Sequence, residues 1–512
     1  MTNKHTLTTV CRPSLKGMIR AANSVLQACK QVHAMGRGDY QDPRLEAAKR
    51  SVAVNQHHDA VTGTAKQHVT DDYALRLDRG MKACSELMME RLAVKSGCQL
   101  TEFCPLLNIS QCHLTETSDQ FSVMVYNPLT VAVDSPVRLP VRSGQTYSVL
   151  TSSGEKVTAQ MVDIPEEVMA VPGRDSQAGA ELVFMAEAVP ALGYTVYNVR
   201  RHSGVSTSTV STGRVNILSA GAVMENDHIQ VHINEKGVLS KLKTNLGEVD
   251  VSQGFAYYRG AVGNNSRAED RASGAYIFRP DSDQPTPVGD PVSAHLVRGP
   301  LVQEVHQRFN DWTSQVIRLY AGQARLEMEW LVGPLPSQEA DSPGLEVVTQ
   351  YKTNIKSEDT FGTDSNGRFM ISRRRNYRPT WQLNLTEPVA SNYYPVVSRM
   401  SLTEQSNSVS EERRQLWLLV DRAEGGTSSQ SGQLELMIHR RLFNDDAFGV
   451  GEALNETAYG VGLVVRGQHS LVPCLDTEAA CDLLSRRQAE QRLMKPLVLL
   501  GSPCSVSPSH TR

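Results

Sequence analysis

The N-terminal part of the chain places apolar residues at the three- and four-residue steps of amphipathic helices. The first set predicts a helix with Ser14 as its N-cap and Gly36 as its stop. Its apolar face consists of Leu15, Met18, Ile19, Ala22, Val25, Leu26 and Cys29. A second helix is predicted over about residues 44–54. The first hundred residues are therefore expected to be mainly helical.

The third predicted helix, over about residues 65–94, is the best marked of the three. Thr64 and Gln67 form a capping-box pattern at its start. Its apolar stripe consists of Val69, Tyr73, Leu77, Met81, Cys84, Leu87, Met88 and Leu92. Because Cys84 and Cys29 both lie on inward-facing stripes, a disulfide between the two helices is geometrically feasible. Two buried free thiols are the alternative that this pattern leaves open.

From residue 118 the apolar period changes from that of a helix to that of a β-strand. Phe121, Val123 and Val125 alternate with polar neighbours. The same rhythm recurs over residues 182–185, 194–199, 229–233, 301–309, 325–332 and 416–420. Many short strands separated by turns are typical of β-sandwiches. The Ser/Thr/Gly-rich stretch 203–213 is the expected break between a small and a large β unit.

These patterns predict an α + β multidomain fold, in which a three-helix bundle precedes antiparallel β-sandwich domains. The expected domains are a helical domain over residues 1–117, a small β-sandwich over 118–204 and a large β-sandwich over 205–512. The chain of 512 residues is long enough for this division, because a domain usually holds roughly 150 residues.

The charge balance excludes two classes of partner. With 52 basic and 55 acidic residues, the formal net charge is −3. The chain therefore has no general electrostatic attraction for nucleic acid or for an anionic membrane. No apolar run approaches the roughly 18 residues that a membrane span needs. The start of the chain also lacks the apolar core of a signal peptide, which by itself indicates the cytosol.

The nine cysteines complicate that assignment. Six of them fall before residue 113, and no CxxC pair indicates a zinc or redox motif. Their odd number leaves at least one thiol free. Glycosylation sequons occur at Asn108, Asn264, Asn384 and Asn455. Since chance alone would produce about as many, the sequons are weak evidence for secretion.

The segment QHHDAVTGT, over residues 56–64, carries candidate chemistry. His57, His58 and Asp59 lie between the second predicted helix and the third. Because adjacent side chains diverge, one histidine with Asp59 is expected to face a cleft, and the two histidines are not expected to share one centre. A zinc centre needs three or four protein ligands, and this segment supplies one or two. From the residues alone, a polar interhelical loop is the simpler interpretation.

Other polar and aromatic positions are structural when judged alone. Tyr276, in SGAYIFRP, is typical of an ordinary sandwich aromatic. Arg440 and Arg441, shortly before Asp445 and Asp446, are typical of a surface charge cluster. These patterns alone predict a helical module followed by β-sandwiches and assign no function.

The chain also contains long blocks of recognisable sequence in a fixed order. They are RPSLK (12–16), HHDAVTGTAKQHVTDDYA (57–74), FCPLLNISQC (103–112), VYNPL (125–129), ASGAYIFRP (272–280), PLVQEVHQRF (300–309), TDSNGRFM (363–370), NYRPTWQLNLTEPVASNYYPV (376–396) and LELMIHRRL (434–442). These blocks resemble the middle and C-terminal parts of α-mannosidases of glycoside hydrolase family 38, over roughly residues 11–500. The block at 376–396 favours the lysosomal branch, with Golgi-type and epididymal-type members as alternatives.

The resemblance implies a fold and a reaction. Members of the family have a catalytic α/β domain, then a three-helix bundle, then β-sandwich domains, and they are zinc-dependent retaining exo-hydrolases of terminal α-linked mannose on N-linked oligosaccharides. His58 would be a zinc (Zn²⁺) ligand, and Asp59 would hydrogen-bond the sugar hydroxyls. Tyr276 and one arginine of the pair 440–441, with Arg440 favoured, would contact the substrate.

The resemblance also implies a compartment and partners. Cys29–Cys84 and Cys104–Cys112 would be disulfides, and they place the protein on the secretory route to the lysosome. Mannose-terminated oligosaccharides would be its partners, without nucleic acid and without a membrane span. A homodimer is allowed.

The sequence departs from the family near its start. The catalytic α/β domain, with the nucleophile and the acid/base carboxylate, is expected before residue 11 and has no counterpart here, so no catalytic residue is assigned. The expectation is a fragment that is inactive by itself. The alternative is a non-catalytic β-sandwich module that binds carbohydrate or another partner.

Overall fold

The computed structural model describes residues 11–36, 41–202, 209–211, 213–336, 343–405 and 413–504. In these ranges a helical bundle is followed by antiparallel sheets, which confirms the predicted fold class. The domain boundary predicted after residue 204 falls in a stretch outside the described ranges. Within them, no helix is both long enough and apolar enough to cross a membrane.

Three long helices form the predicted bundle. The helices of the described residues are α1 Pro13–Met35, α2 Pro43–Val54, α3 Gln67–Ser96, α4 His113–Thr117, α5 Glu166–Met169 and α6 Glu478–Leu493. The N-cap of α1 is Arg12 and not the predicted Ser14, because Pro13 already takes the first helical position, which its fixed φ angle suits. Gly36 follows the end of α1, as predicted.

The start of α3 differs from the predicted capping box. Its N-cap is Lys66, which makes no side-chain cap bond. The backbone N–H of Gln67 donates to Oε1 of Glu452 at 2.9 Å, and the hydroxyl of Thr64 donates to Asp59 at 2.9 Å. The β region therefore satisfies this helix end, and Thr64 is used by the neighbouring loop.

Every segment with the predicted alternating pattern contains a strand. The strands before residue 212 are β1 Leu100–Glu102, β2 Gln120–Tyr126, β3 Val133–Val141, β4 Thr146–Thr151, β5 Lys156–Val157, β6 Ala159–Asp163, β7 Ala180–Val189, β8 Tyr194–His202 and β9 Thr209–Ser211. The later ones are β10 Arg214–Asn216, β11 Ala222–Glu225, β12 Gln230–Ile233, β13 Leu239–Thr244, β14 Gly247–Arg259, β15 Thr286–Pro287, β16 Ser293–Val297, β17 Val302–Asn310, β18 Thr313–Tyr320, β19 Leu326–Val332, β20 Leu345–Thr353, β21 Thr360–Ser365, β22 Phe369–Arg374, β23 Tyr394–Val396, β24 Arg399–Thr403, β25 Arg413–Val420, β26 Glu424–Thr427, β27 Gln433–Arg441, β28 Thr457–Ala458, β29 Val461–Gly462, β30 Val465–Asp476 and β31 Leu497–Gly501.

The small β unit consists of two facing sheets. Their strand orders are β1-β31-β2-β8-β4-β5 and β3-β7-β6-β9. Buried residues from both sheets, among them Val123, Leu139 and Phe184, form one core. Strand β31 pairs with β1 and β2, so residues 497–501 belong to this small sandwich, whereas the predicted division placed them in the large one.

The large β unit also has two principal sheets. Their orders are β10-β16-β17-β18-β19-β30-β25-β24-β21-β22 and β11-β12-β13-β14-β20-β27-β26-β23, with β15 added to β14. The largest apolar core contains residues of both, such as Leu242, Ile317 and Leu436. The core of the helical bundle continues into the six-stranded sheet through Met124 and Leu499, which fixes the bundle to the small unit.

Three disulfides join cysteines of the described residues. Cys104–Cys112 is bonded as expected, and the other two bonds are Cys98–Cys504 and Cys474–Cys481. The predicted Cys29–Cys84 disulfide is wrong for this structure, which has both residues as buried free thiols.

Cys29 and Cys84 both lie in the apolar core of the helical bundle. A hydrogen bond from Cys29, together with burial, raises the pKa of Cys84. The thiol of Cys29 also lies 3.7 Å from the backbone oxygen of Cys84.

Candidate active site

The loop between α2 and α3 packs against the chain just before α1. Gly63 has a φ of 81°, and a Cβ there would lie 2.4 Å from the backbone oxygen of Cys11. Only glycine therefore fits at this close approach. The turn leaves the side chains of His57 and His58 exposed by 45% and 83%. Two imidazoles thus face solvent beside the half-buried Asp59.

Asp59 connects both histidines with the β region. Its Oδ2 lies 3.3 Å from Nε2 of His57 and 3.6 Å from Nε2 of His58. Its Oδ1 accepts hydrogen bonds from the hydroxyl of Thr64, at 2.9 Å, and from the hydroxyl of Tyr276, at 3.1 Å. The expectation that the two histidines diverge is wrong, because the turn brings their rings to a centroid distance of 4.3 Å.

Several interactions set the ionisation of Asp59. Partial burial opposes the charged form, but hydrogen bonds from Thr64 and Tyr276 and the nearby imidazoles outweigh it, so the pKa of Asp59 is lowered. Partial burial also raises the pKa of Tyr276, with the Asp59 carboxylate contributing. The contact is therefore a neutral hydroxyl that donates to a carboxylate, which is a strong type of hydrogen bond.

The donor set of this loop suits a divalent metal of the zinc type. One ligand atom from each of His57, His58 and Asp59 lies within 4.8 Å of the other two. Imidazole nitrogen and carboxylate oxygen are both ordinary zinc ligands, and catalytic zinc sites combine about three protein ligands with an open position. The chemistry of the three residues thus fits zinc.

Tyr276 reaches Asp59 from a loop between β14 and β15. Its backbone N–H and that of Ile277 donate to Oδ2 of Asp446, at 2.6 Å and 2.9 Å. Asp446 is completely buried, unlike the surface charge that the sequence predicts for it. A carboxylate of the β region therefore fixes the backbone at Tyr276.

Arg440 lies beneath this surface, which differs from the expected sugar contact. It is completely buried, and its Nε donates to Glu346 at 2.6 Å. Its remaining donors contact the sulfur of Cys11, the hydroxyl of Ser273 and the backbone oxygen of Ile277. Its position on β27 lies directly opposite Glu346 on β20, so the two side chains form a buried ion pair.

Arg441, the other arginine of the pair, also has structural partners. Its Nη1 donates to the backbone oxygen of Leu335 at 2.6 Å, and its Nε donates to Oδ1 of Asn455 at 2.8 Å. Of the residues predicted to form the site, the structure brings His58, Asp59 and Tyr276 together. Arg440 supports the loop of Tyr276 from behind, through its bond to Ile277.

Three family models match consecutive parts of the chain. They are the alpha mannosidase middle domain over residues 3–94, the lysosomal alpha-mannosidase-like central domain over 157–199, and the glycosyl hydrolases family 38 C-terminal domain over 224–448. Among similar proteins, lysosomal alpha-mannosidase of Bos taurus is 43% identical over 96% of this chain and 46% of its own length. That of Homo sapiens is 41% identical over 96% of this chain and 47% of its own. This chain belongs to glycoside hydrolase family 38.

The chain spans about half the length of these family 38 relatives. A crystal structure of an alpha-mannosidase from Enterococcus faecalis V583 superposes with a TM-score of 0.61, at 13% identity, over 99% of this chain and 59% of that one. A second structure from Enterococcus faecalis, of a family 38 protein, gives a TM-score of 0.59 over 97% of this chain and 60% of that one. At this identity, the two structures support the fold alone.

The family assignment places the candidate site at a junction of domains. His58 and Asp59 fall in the match to the middle domain, whereas Tyr276 and Arg440 fall in the match to the C-terminal domain. The hydrogen bond between Tyr276 and Asp59 therefore joins two domains of family 38.

Sequence reasoning missed the residues that hold this junction. Glu346, Ser273 and Asp446 are buried and bond the loop of Tyr276 or the arginine below it. Asp446 was visible only as half of an acidic pair close to two arginines. The local signal for an internal partner is a charged residue between apolar neighbours in a strand, as Glu346 is between Leu345 and Val347 of β20.

Proposed function

We propose that this protein is an α-mannosidase that hydrolyses terminal α-linked mannose of N-linked oligosaccharides, with zinc and with retention of configuration. The observation that carries the proposal is the solvent-facing group of His58, Asp59 and Tyr276, built from two domains of the family. A partly open cluster with hydroxyl and carboxylate groups is suited to a polar sugar.

The residues of this chain would bind and orient the sugar. Asp59 has a lowered pKa, so its carboxylate remains able to accept a hydrogen bond from a sugar hydroxyl in mildly acidic solution. Tyr276 and Thr64 hold this carboxylate in place. His58, with the most exposed imidazole of the loop, would be the zinc ligand, and zinc, when bound, would polarise and fix the hydroxyls of the terminal mannose.

The bond-breaking groups are assigned to another part of the enzyme. A retaining glycosidase uses two carboxyl groups about 5 Å apart, one as nucleophile and one as acid and base. We give neither role to a residue of this chain and expect both from the catalytic α/β domain of the family. The proposed role of the chain is thus to complete the rim of the sugar site.

The test joins this chain to the catalytic domain of a family 38 relative. Hydrolysis of an aryl α-mannoside and the zinc content per molecule are measured for the parent, for His58→Ala and for His228→Ala. His228 is the matched control, because it is exposed and lies outside the candidate zinc cluster. We expect activity and one zinc per molecule in the parent and in His228→Ala, and a loss of at least about 10-fold in both readouts for His58→Ala.

One outcome would refute the proposed activity, and another would refute the proposed role of His58. The first is a parent chimera that does not hydrolyse the mannoside. The second is an unchanged zinc content in His58→Ala, which would leave the activity class standing but exclude His58 as a ligand. The chain by itself, assayed beside the chimera, is expected to be inactive.

We propose the lysosome as the compartment. Disulfides persist mainly along the secretory route, and three occur in the described residues. The four sequon asparagines, Asn108, Asn264, Asn384 and Asn455, are exposed, as attachment of a glycan requires. The chain, secreted from a eukaryotic host behind an added signal peptide, should lose mass on endoglycosidase treatment, and an unchanged mass would count against this route.

A further inference from the structure

The turn after β27 carries a buried carboxylate to which the proposed reaction gives no role. Oδ2 of Asp446 accepts hydrogen bonds from the backbone N–H groups of Tyr276, at 2.6 Å, and Ile277, at 2.9 Å. Its Oδ1 accepts from the backbone N–H of Phe448, at 3.1 Å. A buried carboxylate must be compensated, and these three N–H groups do so. One side chain thereby fixes the backbone of two aromatic residues.

The two aromatic residues lie side by side. The ring centroids of Tyr276 and Phe448 are 6.0 Å apart with an interplanar angle of 42°. Tyr276 carries its hydroxyl to Asp59. The side chain of Phe448 is 44% exposed, although phenylalanine is usually buried and Asp446 fixes the backbone of this residue. An apolar surface is thus maintained next to the polar group of the candidate site.

Several contacts keep the ring of Phe448 in place. The guanidinium of Arg271 lies 4.7 Å from the ring centroid, and its Nη1 donates to the backbone oxygens of Asp446 and Ala447. Ala447 has a φ of 52°, a left-handed conformation that is unfavourable for a residue with a Cβ. Strained residues persist where the surrounding structure enforces them, and they cluster at functional sites.

The loop that carries Tyr276 approaches Asp446 closely at Gly274. A Cβ on Gly274 would lie 2.7 Å from Cβ and Cγ of Asp446, so glycine is needed for the two segments to meet. The turn and the loop of Tyr276 therefore form one rigid unit around the carboxylate.

We propose that Phe448 is a sugar-contacting residue of the site, and that Asp446 is the positioning residue that holds Phe448 and Tyr276 on the same rim beside Asp59. A pyranose ring has an apolar C–H face and a hydroxyl edge. The C–H face packs on Phe448 while the hydroxyls reach Asp59, in the usual combination of an aromatic wall with a few polar groups. The identity of the sugar as mannose rests on the proposed function.

The test uses the chimera described above and the full chain alone. Phe448→Ala is compared with the parent, with Phe448→Tyr, which restores an aromatic ring, and with Phe369→Ala. Phe369 is the matched control, because it is 54% exposed and lies on the edge strand β22. Binding of methyl α-mannoside is measured by saturation-transfer NMR titration, and KM and kcat are measured with an aryl α-mannoside.

We expect Phe448→Ala to weaken binding and to raise KM by about 10-fold with little change in kcat, since an aromatic contact contributes to binding in the ground state as well as in the transition state. Phe448→Tyr should restore both values, and Phe369→Ala should equal the parent. Asp446→Asn replaces one acceptor oxygen by an NH₂ group, so it should raise KM as Phe448→Ala does. If Asp446→Asn does not fold, the Phe448 variants decide the question.

The outcomes separate this inference from the proposed function. Equal binding and equal KM for Phe448→Ala and the parent would overturn the inference while the activity stands. A parent that binds the mannoside without hydrolysing it, with weaker binding in Phe448→Ala, would overturn the proposed function and support the contact. A parent with neither binding nor hydrolysis would overturn both.

Discussion

Two tripeptides of this chain each combine histidine with charged residues, but one lies in a solvent-exposed loop and the other in a buried strand. His57-His58-Asp59 lies in a loop between helices, and the side chain of His58 is 83% exposed. His439-Arg440-Arg441 lies at the end of a central strand, and Arg440 is completely buried. Both tripeptides carry a histidine and adjacent charges. The comparison shows that the element around such residues decides whether they are available to a ligand.

In the buried tripeptide, contacts within the protein replace contacts with water. Arg440 pairs with Glu346, and Nε2 of His439 lies 3.1 Å from the backbone oxygen of Leu463. In the exposed tripeptide, water can solvate the imidazoles, so they are free to exchange it for a metal or a sugar. Charge in the first case maintains the fold, and in the second it is available for binding.

Removal of the Arg440 charge should have the largest effect on stability. Arg440→Met leaves Glu346 buried without its partner, and breaking a buried ion pair costs about 3–5 kcal/mol. Urea unfolding monitored by circular dichroism should show this loss in the transition of the β region. Arg50→Met, at an exposed pair with Glu46, is the control and should leave the transition unchanged. Equal losses of stability in the two variants would contradict the conclusion that the buried charge maintains the fold and the exposed one does not.

The histidines should differ in the pH dependence of stability. Burial lowers the pKa of His439 to about 4 from an ordinary value of 6.5. As pH falls from 6.5 to 4, the unfolded chain takes up a proton that the folded chain does not, so the folded state loses roughly 3 kcal/mol. His439→Gln should remove this slope between pH 6.5 and 4 and leave the pH dependence of stability above pH 7 unchanged. Unfolding free energies measured from pH 4 to 8 check it.

An exposed histidine provides the control for this pH profile. His228→Gln, at an exposed histidine outside the cluster of His57, His58 and Asp59, is measured in parallel as the control for the substitution itself. If His439→Gln kept the slope of the parent between pH 6.5 and 4, the buried histidine would not be its source.

The smallest change in stability is expected when the hydrogen bond between Tyr276 and Asp59, which joins the two domains, is removed. Tyr276→Phe removes one hydroxyl that donates to Asp59, which should cost about 0.5–1.5 kcal/mol. Loss of this donor should also raise the pKa of Asp59, because the charged form loses a hydrogen bond. The change is measured by thermal unfolding and by carboxyl NMR titration. Tyr459→Phe, at a 76% exposed tyrosine, is the control and should alter neither value.

The elements with a regular apolar period could be predicted from the sequence. Helix α1 and the strand β2 have this period, and each lies where it was expected. Helix α6 was missed, because its buried positions, Cys481, Ser485, Ala489 and Arg492, include polar residues and make no apolar stripe. Its N-cap Thr477, whose hydroxyl accepts from the backbone N–H of Ala480, was the available local signal.

The sequence by itself determined the helical and β regions, the polar loop at His58 and the family. Each of these depends on local period or on continuous blocks of residues. The tertiary structure alone decided that Glu452 caps α3, that Arg440 is buried and that Asp446 holds Tyr276 and Phe448. These contacts join residues far apart in the chain, and burial and hydrogen bonding between them arise only when the sheets and the bundle pack.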